Sequence, residues 1–149
     1  MPPSSPAPAR RARPTRADYR AFVPITSRWS DNDMFGHLNN AAYYSYFDTA
    51  VTSWLFSTAP QGERSRMFFV AETGCRYLSE IAYPDKVSVG LRIGHLGTSS
   101  VRYEIGVFRN DEEDAAAEGL FVHVHIDPAT RRPAPLDEPL RRTLTEICA

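Results

Sequence analysis

The chain has 149 residues, enough for one domain with a sizeable core that needs neither disulfides nor metals to fold. It is 42% hydrophobic and 11% aromatic, which excludes a disordered chain. Its 17 basic and 18 acidic residues leave a net charge of −1, without the basic footprint of a nucleic-acid binder.

In chain order, the first sixteen residues, MPPSSPAPARRARPTR, are rich in proline and arginine and contain no acid. Such a segment cannot build a core, so residues 1–17 are expected to form a disordered tail ahead of a domain at 18–149. The prolines spoil the amphipathic helix of a transit peptide, and a secretory apolar region is missing. An extended run from Ala21 to Trp29 leads into the polar loop DNDMFGHLNN, which ends at Asn40. Tyr43, Tyr46, Phe47, Ala50, Val51, Trp54 and Leu55 then recur at i, i+3, i+4 and i+7. This spacing predicts an amphipathic helix from Asn40 to Phe56, buried on one broad face and capped by Asn39 or Asn40.

STAPQGER reads as a loop, and Met67 to Ile81 as an extended segment ended by the YPD turn at Tyr83 to Asp85. Three period-two strands follow, with apolar faces Val87, Val89, Leu91, Ile93; Val101, Tyr103, Ile105, Val107; and Leu120, Val122, Val124, Ile126. The connections are GTSS and an acidic loop, RNDEEDAAAEG. LDEPLRRTLTEI predicts a terminal helix capped by Asp137, with Pro139 in its first turn, where a missing N–H is tolerated. Short hairpins cannot join parallel neighbours, so the sheet must be largely antiparallel. A lone helix with an aromatic stripe needs cover, and a curved sheet is the available cover. The fold class is α+β, a long central helix wrapped by a curved antiparallel β-sheet.

No apolar run approaches the ~20 residues that span a bilayer, so no membrane partner is expected. Cys75 and Cys148 stand far apart and outside any CxxC or Cys/His cluster. They read as free thiols in a reducing compartment, and a cytoplasmic location is expected.

The polar loop invites three chemistries. DNDMFG begins like a calcium loop, but Phe35 stands where a third oxygen ligand belongs and Ala42 where the bidentate glutamate belongs. His123 and His125 share a strand face, and they read as polar side chains on the less buried face rather than ligands. No metal is therefore expected. A GxSxG elbow is missing, and Cys75 reads as a small buried thiol. Acid–base chemistry fits better. Asp33 and His37 lie on a loop that runs into a helix N-terminus at Asn40, where unpaired N–H groups carry partial positive charge. A carbonyl oxygen gaining negative charge is stabilised there, and a neighbouring carboxylate can activate water or attack directly. On spacing alone the commoner arrangement is the plainer one, in which Asp31 and Asp33 make turn bonds and His37 is a surface residue.

RWSDNDMFGHLNNAAYYSYFDTA closely resembles the opening motif of hotdog-fold thioesterases of the 4-hydroxybenzoyl-CoA thioesterase-like group. TGCRYLSEIAYPDKVSVG, GTSSVRYEIGVF and VHVHIDPATRRPAP resemble that group's later strands, and the likeness runs from about Pro24 to Leu144. The resemblance implies an acyl-CoA thioesterase that releases a carboxylic acid and free CoA. It places the catalytic carboxylate on Asp33, as general base or nucleophile, with Asp31 supporting and His37 where some relatives have a catalytic histidine. The first helical turn at Asn40 would direct a backbone N–H at the thioester oxygen, and Asp48 matches a frequent helix acid of structural role. The turn Gly97, Thr98, Ser99, Ser100 is a candidate contact for the CoA pantetheine or phosphates. No cofactor is implied, since coenzyme A belongs to the substrate. The partners implied are the acyl-CoA and further copies of the chain, as a homodimer or homotetramer with the acyl site between subunits. Hotdog domains that bind acyl-CoA without cleaving it are the main alternative.

Overall fold

The computed structural model describes residues 11–58 and 66–149. Most of the STAPQGER loop and the first ten residues of the chain lie outside the described residues. Five strands form one antiparallel sheet: β1 (Ala21–Ile25), β2 (Met67–Tyr77), β3 (Val87–Leu96), β4 (Ser100–Arg109) and β5 (Ala117–Ile126), in the order β1-β3-β4-β5-β2. Helix α1 (Asn40–Thr58) lies against the inner face, and α2 (Glu138–Thr145) closes the chain. This is the α+β architecture of a central helix wrapped by a curved antiparallel sheet. Register shifts at Val70/Glu72 in β2 and at Ile93/His95 in β3 mark bulges that bend the sheet.

All seven residues of the α1 stripe are buried, and Phe47, Ala50 and Val51 have no exposed surface. They meet Val89, Leu91, Val101, Tyr103, Ile105 and Phe121 from the sheet. Burying each large side chain of this kind contributes roughly 1.5–3 kcal/mol. The closest approach falls at Gly119, where a Cβ would collide with the Phe47 ring. α1 starts at Asn40 as expected and runs two residues past Phe56. The cap is Asn39, whose Oδ1 accepts the Ala41 N–H at 2.9 Å. α2 is capped by Asp137, whose side chain accepts from the Leu140 N–H, with Pro139 in the first turn.

Four expectations need correction. First, the ordered chain begins before residue 18. The Arg13 Nη2 donates to Ala115 O at 2.7 Å, Thr15 bridges Asp114, and the Arg16 guanidinium donates to Asn110 O and Glu112 O. Its Cζ lies 4.7 Å from the centre of the Phe108 ring. These arginines find carbonyls and a ring on the sheet's outer side, which composition alone cannot reveal. Second, β1 stops at Ile25, because Ser27 and Arg28 turn toward Asp85 and Asp31. Third, β2 ends at Tyr77, where the Leu78 and Ser79 N–H groups both turn to Ala116 O.

Fourth, β5 shows the core the opposite face from that expected. Phe121 and His123 are buried, whereas Leu120, Val122 and Val124 are half-buried on the outer face. Of the expected series only Ile126 is buried. Both alternations along β5 are apolar, and Gly119 beneath Phe47 decides between them.

The two borders of the sheet differ. β1 covers Val87 to Leu91 of β3 and carries Pro24, which has no N–H to offer a neighbour. Beyond it, Ile93 bonds the chain terminus, donating to Ile147 O and accepting from the Ala149 N–H, both at 2.9 Å. β2 has a strand partner on one side only among the described residues.

Candidate active site

The polar loop is tied down by the first acid of its pair. Asp31 is 6% exposed. Its Oδ1 accepts from Arg28 Nη2 at 2.8 Å, and its Oδ2 accepts from the Arg28 N–H at 2.9 Å and the Tyr46 hydroxyl at 2.8 Å. Burial pushes the carboxyl up, but the Arg28 and Tyr46 hydrogen bonds outweigh it and hold the pKa below the usual carboxylate value. Asp31 thus anchors the loop to α1 and has no oxygen left for chemistry.

Two residues on, the second acid is presented differently. Asn32 bridges Leu38, and the Asp33 N–H donates to His37 O at 2.9 Å, which folds the loop back on itself. Gly36 makes this reversal at φ +83°, a conformation glycine adopts without strain. The Asp33 Oδ1 accepts the Phe35 N–H at 2.8 Å, and its Oδ2 lies 3.8 Å from His37 Nε2. On the far side of the imidazole, His37 Nδ1 is 3.2 Å from Glu80 Oε1. Acid, imidazole and acid therefore stand in a row.

The row borders a cleft of about 490 Å³, lined also by Asn40, Tyr43, Tyr77 and Ile81. Asn39 takes the Ala41 N–H, so the Asn40 N–H, first in the helix, has no acceptor among the described residues. The Tyr77 hydroxyl donates to Asn40 O at 3.0 Å, joining the end of β2 to the start of α1. A helix N-terminus with an unused N–H can polarise a carbonyl oxygen, and a carboxylate beside it can activate water.

Asp33, His37 and Asn40 are thus brought together. Glu80 joins them from 43 positions beyond His37, a separation at which sequence spacing carries no signal. The turn Gly97–Ser100 is elsewhere in the same chain. Ser100 pairs Val124, which pairs Phe69, whereas the cleft sits at the Tyr77 level. Eight residues along a strand is roughly 26 Å. Within that turn the Gly97 N–H bonds Ser100 O, and the carbonyls of Thr98 and Ser99 accept from Leu136 and His125. The Thr98 and Ser99 N–H groups take no backbone acceptor among the described residues.

The remaining candidates are core groups. Burial pushes the Cys75 thiol up to about 11, which leaves it protonated and a poor nucleophile. His123 is buried rather than on the less buried face, stacked on Phe68 at 4.9 Å with its Nδ1 lacking a hydrogen-bond partner. Among the described residues no three His, Cys, Asp or Glu side chains are grouped to hold a metal ion. No described helix is long and apolar enough to cross a membrane.

The wrapped helix defines a hotdog fold, and the chain belongs to the thioesterase-like superfamily, whose family model matches residues 27–144. Among solved structures it is similar to the PA5185 protein of Pseudomonas aeruginosa strain PAO1, with 37% identity, a TM-score of 0.87, and coverage of 93% of this chain and 98% of that one. It is also similar to a thioesterase of Thermus thermophilus solved with coenzyme A and Zn, with 36% identity, a TM-score of 0.73, and coverage of 85% of this chain and 98% of that one. A curated relative, protein YsmA of Bacillus subtilis, is 25% identical over 112 residues, which are 74% of this chain and 76% of the relative.

Proposed function

We propose that this protein is an acyl-CoA thioesterase in which Asp33 acts as general base on water or as the nucleophile. One observation carries the reading: Asp33 and Asn40, whose N–H has no acceptor among the described residues, line the same cleft. The thioester carbonyl oxygen points at the Asn40 N–H, where the helix stabilises the charge that develops on it. In the general-base route Asp33 takes a proton from water and the hydroxide adds to the carbonyl carbon. Collapse breaks the carbon–sulfur bond and releases CoA as the thiolate. In the nucleophilic route Asp33 itself adds, expels CoA, and leaves a mixed anhydride that water opens. His37, held between Asp33 and Glu80, is placed to hold and orient the proton in either route. No cofactor enters, and the relative solved with coenzyme A supports an acyl-CoA substrate.

The open border of β2 supports a homodimer. It is 11 residues long and exposes Phe69, Val70 and Tyr77 at 43%, 44% and 45%, a surface that proteins normally cover. A second copy pairing antiparallel about mid-strand sets Tyr77 of one protomer beside Met67 of the other. Each Asp33 cleft then faces the far end of the partner's β2 and the partner's Gly97–Ser100 turn, so a CoA held there would contact both copies.

The test is CoA release from a panel of acyl-CoAs. Free thiol produced by wild type and lost by at least about a hundredfold in Asp33→Asn supports catalysis. Tight binding of acyl-CoA with no thiol release supports a sensor instead and sinks the enzyme reading.

A further inference from the structure

A cavity of about 620 Å³ opens on the outer face of the sheet. The Asp33 cleft lies apart from it, at the start of α1. The segment from Arg11 to Pro14 runs along one side of the cavity, and β2, β4 and β5 supply its floor. Five arginines line it: Arg11 and Arg13 from the segment, Arg76 from β2, Arg92 from β3 and Arg102 from β4. Three carboxylates stand among them, Asp18, Glu104 and Glu118.

We propose that this cavity is a second ligand site, separate from the Asp33 cleft, that takes a nucleoside diphosphate, with the phosphates among the arginines and the base on the floor. The inference goes beyond the thioesterase reading and does not depend on it.

The balance of charge carries the first half. Glu118 serves two guanidiniums: its Oε1 accepts from Arg76 Nη1 at 2.7 Å and lies 3.7 Å from Arg11 Nη1. Glu104 Oε2 accepts from Arg92 Nε at 2.5 Å, and Asp18 Oδ2 accepts the Thr15 N–H at 2.7 Å. Arg13 donates to neutral acceptors, Ala115 O at 2.7 Å and Ser79 Oγ at 2.9 Å. Arg102 is exposed and has no hydrogen bond or ion pair among the described residues. Five cations against three anions leave the lining with an excess of two positive charges. The first ten residues contain no acid, so the chain ahead of Arg11 brings no carboxylate to cancel it.

The shape carries the second half. A guanidinium is a rigid fork of donors that fits phosphate oxygens two at a time. It has five N–H groups, so Arg76 and Arg92 are held in place by their carboxylates without being exhausted. Inorganic phosphate alone does not fill this volume, which falls within the range of small-molecule pockets. Gly74 faces Leu120 across β2 and β5, and a Cβ on Gly74 would meet no atom within 4 Å. A flat, open, apolar patch beside a cationic rim suits a ring that carries phosphates.

ADP, pyrophosphate and adenosine, each titrated into the full chain by calorimetry, provide the test. ADP is expected to bind about tenfold or more tighter than either of its parts. Arg102→Glu reverses an exposed charge and should weaken ADP at least about tenfold. Gly74→Leu fills the floor and should weaken ADP by a similar factor while pyrophosphate binds as before. In both variants a hexyl-CoA thioether, which is not hydrolysed, should keep its affinity within about twofold. No ADP binding, no preference for ADP over its parts, or ADP binding unchanged by either variant would overturn the proposal. So would a thioether that loses affinity in step with ADP, because the cavity would then be the nucleotide end of the acyl-CoA site. The wild-type comparison decides even if a variant does not fold. A thioether that does not bind at all sinks the acyl-CoA reading and leaves this one to the ADP result.

Discussion

The Tyr46 hydroxyl donates to Asp31 Oδ2 at 2.8 Å, so the second turn of α1 holds the loop that carries Asp33. Tyr46→Phe removes one donor from a buried carboxylate and is expected to cost about 1–3 kcal/mol. Urea unfolding checks it, through a lower midpoint with an unchanged slope. The pH sign follows from the lowered pKa of Asp31. Its stabilisation is complete above the unfolded carboxylate value of 3.8 and is lost as pH falls through the lower folded value. Asp31→Asn should therefore unfold more easily at neutral pH and lose less stability on acidification below pH ~4 than wild type.

Glu80 faces His37 across 3.2 Å from an exposed position. If it orients the ring for proton handling, Glu80→Gln lowers kcat about two- to fivefold and leaves KM nearly unchanged, a modest effect because water screens the pair. The decisive measurement is the double variant. In His37→Asn, adding Glu80→Gln should change nothing further; additive losses would show that Glu80 acts independently of the imidazole.

The Gly97–Ser100 turn offers N–H groups, and the Arg141 guanidinium lies against it, donating to Gly97 O at 2.8 Å. A carboxylate placed there should repel the phosphates of CoA. Ser99→Asp is expected to raise KM several-fold more than it lowers kcat, read from initial rates at low salt. An unchanged KM would remove the turn from the CoA site.

Gly119 lies beneath Phe47, and a Cβ there meets the ring. Gly119→Ala is expected to destabilise by about 1–3 kcal/mol, the usual cost of overfilling a packed core. A thermal melt measures it, and Phe47→Leu in the same chain should recover part of the loss by making room.

His123 has a folded pKa of about 4, well below its ordinary 6.5, because burial disfavours the charged ring. The unfolded chain takes up a proton below pH 6.5 while the folded one does not, so stability falls as pH drops from 6.5 toward 4. A shift of this size corresponds to about 3 kcal/mol. In His123→Phe the slope of stability against pH should flatten across that window. A slope identical to wild type would mean that the ring is already hydrated in the folded protein.

The helix and its buried face were legible because seven apolar residues recur at one period and Asn39 stands at the start. Asp33, His37 and Asn40 were legible because they are close in sequence, and a loop entering a helix keeps such neighbours together in space. β5 was misread because Ala117, Gly119 and Phe121 compete with Leu120, Val122 and Val124 on equal terms, and only the Phe47 ring breaks the tie. Glu80 was invisible because its partner arrives through tertiary folding. The ordered stretch from Arg11 to Asp18 was hidden by composition, since its arginines bind backbone carbonyls that no residue pattern announces.

The unequal borders of the sheet bear on the dimer proposed above. One rim is short, interrupted by Pro24 and finished by Ile147 and Ala149, while the other is long and has no strand partner among the described residues. In that dimer, a ribbon with a single sticky margin would couple once and then have nothing further to join, so edge-to-edge growth would halt at a pair instead of running on into a fibre.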